Sequence, residues 1–254
     1  MLANYHTHTM RCQHAQGSDR EYVEEAIKSG LKILGFSDHC PWVYPDGYVS
    51  GCRMACDEVD DYFYSLSCLK KEYADDIKIY IGFESEYIPE LMEEQDKLLS
   101  HYPVDYMILG EHTTVKEGKG VNPSSKKTTD EEVLRNYVDI VIEGMESGRY
   151  AYIAHPDLLH YVGSDEIFDK HYRRLCEYLK SKNIPVEINC LGIGLRRHYT
   201  SEKFLKIAQS VGNSAIIGID AHMPKMISDR EQIKICERLA EKYSLPLVDY
   251  LDGL

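Results

Sequence analysis

Short runs of β-branched and aromatic residues recur along the chain, at Ala3-Asn4-Tyr5, Ile33 to Phe36, Ile77 to Phe83, Val104 to Leu109, Tyr150 to Ala154, Pro185 to Ile188 and Ala215 to Ile219. Their length and side-chain type predict seven strands. Between them, apolar residues return at helical spacing, as in Tyr22, Val23, Ala26 and Ile27, and again in Val133, Leu134, Val138, Val141 and Ile142. Ser18-x-x-Glu21, Thr129-x-x-Glu132 and Ser228-x-x-Glu231 fit capping boxes, which satisfy free amide donors at a helix start. Gly30, Gly148 and Gly212 stand where helices should stop.

Strands that alternate with helices imply a parallel sheet joined by crossovers. Seven such units in 254 residues fit a closed or nearly closed α/β barrel better than two domains, with an open doubly wound sheet as the other arrangement the pattern allows. The 43% hydrophobic content supports a full core, and residues 1–254 are expected to form one domain without repeats or linkers.

Each predicted strand ends at or near a group able to bind a metal. The endings are His6-Thr7-His8, Asp38-His39, Glu84-Ser85-Glu86, Glu111-His112, His155-Pro156-Asp157, Glu187-Ile188-Asn189 and Asp220-Ala221-His222. In parallel α/β folds the carboxyl ends of strands converge on one face. Residues i and i+2 of an extended strand point the same way, so His6 with His8, and Asp220 with His222, can address one pocket. Imidazoles mixed with carboxylates suit zinc, manganese or iron. The donors outnumber one coordination sphere, which implies two or three ions with a carboxylate bridge.

Charge narrows the partners. With 29 basic and 42 acidic residues the formal charge is -13, which repels a nucleic-acid backbone. The stretch Lys116 to Lys127 holds four lysines among Gly, Ser, Asn and Pro and reads as a solvated loop. No basic segment followed by an apolar run opens the chain, and no window reaches the ~18 apolar residues of a membrane helix, so neither a secretory signal nor a membrane association is expected. Eight cysteines without a CxxC pair read as reduced thiols of a cytoplasmic protein, Cys40 among them as small buried filler or a thiolate near the ions. Nothing in the pattern specifies an oligomer.

Taken together, the motifs Asn4-Tyr5-His6-Thr7-His8-Thr9, Phe36-Ser37-Asp38-His39, Gly82-Phe83-Glu84-Ser85-Glu86-Tyr87, Ala154-His155-Pro156-Asp157, Glu187-Ile188-Asn189 and Gly218-Ile219-Asp220-Ala221-His222 resemble the polymerase-and-histidinol-phosphatase (PHP) metal-dependent phosphoesterases, and within them the histidinol-phosphate phosphatases. The resemblance covers nearly the whole chain. It implies a distorted seven-stranded βα barrel with a trinuclear site. His6, His8, Glu84 and Asp220 would hold one ion, Glu84 would bridge to a second held by His112 and His155, and His14, His39 and His222 would hold the third. His14, in the loop after the first strand, is assigned by the resemblance alone. Glu84, Asp220, His222 and Asp38 would carry catalysis, in which neighbouring cations lower the pKa of a shared water for in-line attack on phosphorus.

The phosphoryl oxygens also need cationic donors, and an arginine fork suits them. By the resemblance Arg196 is the first choice, with its neighbour Arg197 and then Arg53 behind it. On an extended segment two consecutive side chains project to opposite sides, so only one of Arg196 and Arg197 would meet the substrate. At position 160 the family pattern leads one to expect lysine or arginine, and this chain has His160, which can serve when protonated. Asp38 and Asp157 are placed to orient ligands, while Glu86, Glu187 and Asn189 are open between ligand support, substrate amine recognition and solvation.

The reading that follows is hydrolysis of L-histidinol phosphate to L-histidinol and phosphate. The alternatives are a phosphoesterase acting on phosphotyrosine, nucleotides or nucleic-acid ends, and a non-catalytic metal-binding domain. The presence of all nine ligand positions argues against the last.

Overall fold

A computed structural model of the protein describes residues 1–113, 123–251 and 253–254. Lys116 and Lys119 of the lysine-bearing stretch lie outside the described residues. The strands are β1 (Ala3–Asn4), β2 (Ile33–His39), β3 (Lys78–Ser85), β4 (Tyr106–Leu109), β5 (Val186–Asn189) and β6 (Ala215–Gly218). The helices are α1 (Asp19–Ser29), α2 (Val59–Glu72), α3 (Pro89–Leu99), α4 (Glu131–Glu146), α5 (Asp165–Ser181), α6 (Cys190–Gly194), α7 (Glu202–Val211), α8 (Pro224–Ile227) and α9 (Arg230–Lys242). Two compact units divide the chain: Met1–Ile108 with Ile219–Glu231 and Asp249–Leu254, and Leu109–Gly218 with Gln232–Val248. No helix among the described residues is long and apolar enough to cross a membrane.

In the first unit β1, β2 and β3 pair in parallel, with registers Ala3↔Ile33 and Ile33↔Lys78 running up to His39↔Glu84. β2 and β3 are buried along almost their whole length, as expected of parallel strands covered on both faces. Glycine is required inside both. A Cβ at Gly35 or Gly82 would overlap Tyr106, whose ring passes there so that its hydroxyl can donate to the Tyr5 carbonyl at 2.7 Å. Beyond β1 the chain stays extended, and Thr7 bridges Ala221 in parallel, with the His8 N–H donating to Ala221 O at 2.9 Å and the Ala221 N–H to His6 O at 3.2 Å.

In the second unit β5 and β6 pair in parallel from Val186↔Ala215 to Asn189↔Gly218. The predicted strand over Tyr150 to Ala154 is reduced to one residue, Ile153, which bridges both Leu109 and Val186. The ladder stops there because His155 turns to φ 32° and Pro156 has no N–H to donate. The faces of α4, α5 and α7 bury Leu134, Tyr137, Val138, Val141, Tyr172, Leu175, Phe204 and Leu205, so the helical periodicity marks the core side.

Of the three expected capping boxes, the one at Ser18 and Glu21 forms. α4 is instead capped by Asp130, one residue after Thr129, whose carboxylate accepts the Glu132 N–H at 2.8 Å. Ser228 ends α8, and its hydroxyl turns to Glu25, so it does not cap α9. Gly30 and Gly212 end α1 and α7 in the left-handed conformation.

Candidate metal centre

The parallel bridge at Thr7 and Ala221 sets the first cluster. Residues on either side of a bridge share the opposite face of the ribbon, so His6, His8, Asp220 and His222 come together. The rings of His6 and His8 lie 5.3 Å apart, and His8 stacks on His222 at 4.1 Å. The rung His39↔Glu84 adds two more groups, with His39 Nδ1 3.2 Å from Glu84 Oε2. Nε2 of His6 stands 3.5 Å from both Glu84 Oε2 and Asp220 Oδ1, and Nε2 of His8 3.1 Å from Asp220 Oδ1 and 3.5 Å from Glu84 Oε2.

His14 arrives by a local device. Thr9 caps a single turn of 3-10 helix, Met10–Cys12, and Gln13 at φ 70° swings the chain back. His14 Nδ1 then lies 2.7 Å from Cys12 O, and His222 Nδ1 3.0 Å from Asp220 O. A carbonyl only accepts, so each Nδ1 carries the proton and each Nε2 keeps its lone pair. The ring of His14 is 4.8 Å from His222 and 5.2 Å from His39.

Ligand atoms of His6, His8 and Glu84 fall within 4.8 Å of one another, as do those of His14, His39 and His222, and those of His8, Cys12 and His222. The first trio is buried and the second reaches the surface. Both ring nitrogens of His8 are buried and make no aligned hydrogen bond, although carboxylates surround them. Burial opposes charge on that ring, yet Asp220 and Asp38 together push it up to about 9. Burial likewise opposes ionisation of Asp220, but His6, His8 and His222 hold it well below the usual carboxylate range. His222 itself falls to about 4, through burial and the neighbouring His8. Nitrogen and oxygen donors converging on a field that favours positive charge fit a divalent transition metal.

Two buried residues that the sequence pattern does not single out hold this arrangement. Asn4 donates through Nδ2 to His6 O at 3.1 Å and Thr7 Oγ1 at 2.7 Å, and accepts the Ile219 N–H at 2.9 Å, so one side chain ties both ligand-bearing segments. Thr9 donates from its hydroxyl and its backbone to Asp38, which also accepts the His39 N–H at 2.8 Å. A polar residue inside a predicted buried strand was the available signal for Asn4.

The second unit brings His112 and His155 together at 5.1 Å between rings, with Tyr199 5.4 Å from His155. Glu187 accepts the His155 N–H at 2.6 Å. Asp157 accepts the Ser201 N–H at 2.7 Å, and burial pushes its carboxyl up to about 6. His160 stacks on His198 at 3.9 Å, with its Nδ1 3.3 Å from Ser125 O. Arg196 and Arg197 are exposed. They follow the one-turn helix α6, Arg196 has φ 53°, and their N–H groups bond back to Ile193 O and Gly192 O. The segment is a turn and not extended, which removes the geometric basis for sending the two side chains to opposite sides.

Arg53 is not a surface arginine. It is buried in the first unit, and its fork meets Glu86 at 3.1 and 3.0 Å while Nη1 also donates to Cys40 O at 3.1 Å. Trp42 Nε1 donates to the same carboxylate at 3.0 Å. Cys40 is buried beneath Gln95, whose Nε2 is 3.2 Å from its sulfur.

The sequence profile of the PHP domain matches residues 4–190. A probable histidinol-phosphatase of Deinococcus radiodurans is 26% identical over 238 residues, covering 90% of this chain and 89% of that one. The histidinol-phosphatase of Bacillus subtilis is 33% identical over 115 residues, 42% of each chain. Among solved structures, the histidinol phosphate phosphatase of Lactococcus lactis, complexed with zinc, L-histidinol and phosphate, superposes with a TM-score of 0.74 at 22% identity, over 99% of this chain and 97% of that one. The fold is thus the α/β class of the distorted barrel type that the sequence leads one to expect.

Proposed function

Because the chain belongs to the PHP domain family, we propose that it is a metal-dependent phosphomonoesterase that hydrolyses L-histidinol phosphate to L-histidinol and phosphate. The observation that carries the reading is the cluster of His6, His8, Glu84 and Asp220 beside the trio His14, His39 and His222, built by one bridge and one strand rung with His14 brought in by the turn at Gln13. By the family pattern His112 and His155 would supply further donors, and the family's complement would be two to three divalent ions, zinc, manganese or iron. When bound, such ions lower the pKa of water and set positive charge against the phosphoryl oxygens.

The chain's own residues do the positioning. Glu84, buried with His8 and His39 at 3.5 and 3.2 Å, is the carboxylate available for sharing between ions. His14 and His222 present Nε2 because their Nδ1 protons are engaged by carbonyls. Asp38 fixes Thr9 and the start of His39, and so the angle between two ligand segments. Asp220 stands at φ 57°, a conformation sparsely used by residues with side chains, which turns its carboxylate and His222 to the same face. Arg196, with Arg197 beside it, supplies the exposed guanidinium for the phosphate, and His160 is a further donor. Arg53 is committed to Glu86, so we assign it to holding the loop through Trp42 and not to phosphate. A cytoplasmic setting, expected from the cysteine usage of the sequence, is part of this reading.

The test is phosphate release from L-histidinol phosphate beside phosphotyrosine, nucleotides and 3′- or 5′-phosphorylated oligonucleotides, on one metal-loaded preparation. A kcat/KM highest for L-histidinol phosphate supports the reading. A preference for any of the others replaces the substrate, and no turnover of any ester revives a non-catalytic metal-binding domain.

A further inference from the structure

The His155 backbone is held by a carboxylate, Glu187, whose role the sequence leaves open. Glu187 lies on β5, fully buried, and three donors converge on it: the His155 N–H at 2.6 Å and Asn189 Nδ2 at 3.0 Å on Oε2, and the Tyr152 hydroxyl at 3.3 Å on Oε1. His155 has φ 32°, a backbone state that is strained for a residue with a Cβ and persists only where its surroundings impose it. A charge-assisted bond to the amide of that same residue is such a constraint.

The seat for this carboxylate is built into the neighbouring strand. Asn189 pairs with Gly218 in register, and a Cβ at Gly218 would overlap Glu187 Oε1. Asn189 then extends the contact. Its Oδ1 accepts the Gly192 N–H at 2.8 Å and caps α6, the short helix whose following turn carries Arg196 and Arg197. One buried chain of hydrogen bonds therefore runs from the backbone of His155 through Glu187 and Asn189 to the base of the arginine turn.

We infer that Glu187 is a positioning residue: it fixes His155 in the left-handed conformation needed for metal ligation and, through Asn189, sets the arginine turn from the same point. This rests on the reading of His155 as a ligand. A carboxylate buried under a backbone amide has no access to substrate, so its effect must pass through the residues it holds.

Glu187→Ala, Glu187→Gln and Gly218→Ala test this against Leu175→Ala, which truncates a buried α5 side chain in the same unit. In metal-stripped protein, amide exchange at His155 should accelerate in Glu187→Ala and Gly218→Ala, and not in Leu175→Ala at matched Tm. In loaded protein, one ion equivalent should bind 10–100-fold more weakly in Glu187→Ala, the scale for loss of a ligand's supporting partner, with the remainder held as in the parent. Glu187→Gln keeps an acceptor for the amide without the charge and should fall between, which covers the case of Glu187→Ala failing to fold. A His155 amide as protected in the Glu187 variants as in the parent, or equal metal loss in Leu175→Ala, overturns the assignment. If both expected results appear but the loaded parent does not hydrolyse L-histidinol phosphate, the substrate reading fails and the role of Glu187 stands.

Discussion

The rings of His14 and His222 stack 27° from parallel at 4.8 Å, each with Nδ1 bound to a backbone carbonyl. Both therefore offer Nε2, and His39 completes a trio near the surface. His14→Ala should remove one ion equivalent, counted by elemental analysis after gel filtration, while Tm in the stripped state stays near the parent value because His14 is exposed. Full metal content in the variant would take His14 out of the centre.

Glu84→Gln keeps the shape of the side chain but removes the charge that lets two cations lie close together. Its turnover should fall at least ~100-fold, the upper scale for weakened metal support. Near-parent turnover with full metal occupancy would contradict the sharing role.

Arginine cannot ligate a cation, so Arg196→Ala should leave metal content unchanged while lowering kcat/KM by about 1.5–3 kcal/mol, the scale of a hydrogen bond to a charged group. Inorganic phosphate should inhibit the variant more weakly than the parent. The turn at Arg196 leaves the side chain of Arg197 exposed as well, so Arg197→Ala is measured beside it. Equal phosphate inhibition constants in the parent and both variants would move the role to His160.

Arg53 and Glu86 form a buried pair, and removing one partner leaves the other's charge stranded. Arg53→Ala should cost about 3–5 kcal/mol in urea unfolding, and the double change Arg53→Met with Glu86→Gln should recover much of that. A loss below about 1 kcal/mol in the single variant would show the pair to be dispensable to the fold.

Much of this was legible in the sequence because strand ends in a parallel fold are where side chains converge, and residues at i and i+2 share a face. His6 and His8 obey that rule beside the bridge at Thr7, whereas Asp220 and His222 meet on the same face although Asp220 is left-handed and not extended. His14 does not obey it, because its place depends on a one-turn helix and the left-handed Gln13, which leave no periodic trace. The run at Tyr150 to Ala154 has strand composition but yields one bridging residue, since the backbone at His155 turns away for the site's sake. Arg53 reads as a loop arginine because its partner Glu86 lies 33 residues away, a pairing no local pattern encodes.

The most direct test of a multinuclear phosphomonoesterase is metal per chain and phosphate release from L-histidinol phosphate, measured on the same sample before and after chelation. The account predicts more than one transition-metal ion per chain in active protein, loss of activity on stripping, and recovery with zinc, manganese or iron. Full activity with at most one ion per chain, or activity that survives complete removal of metal, would contradict it.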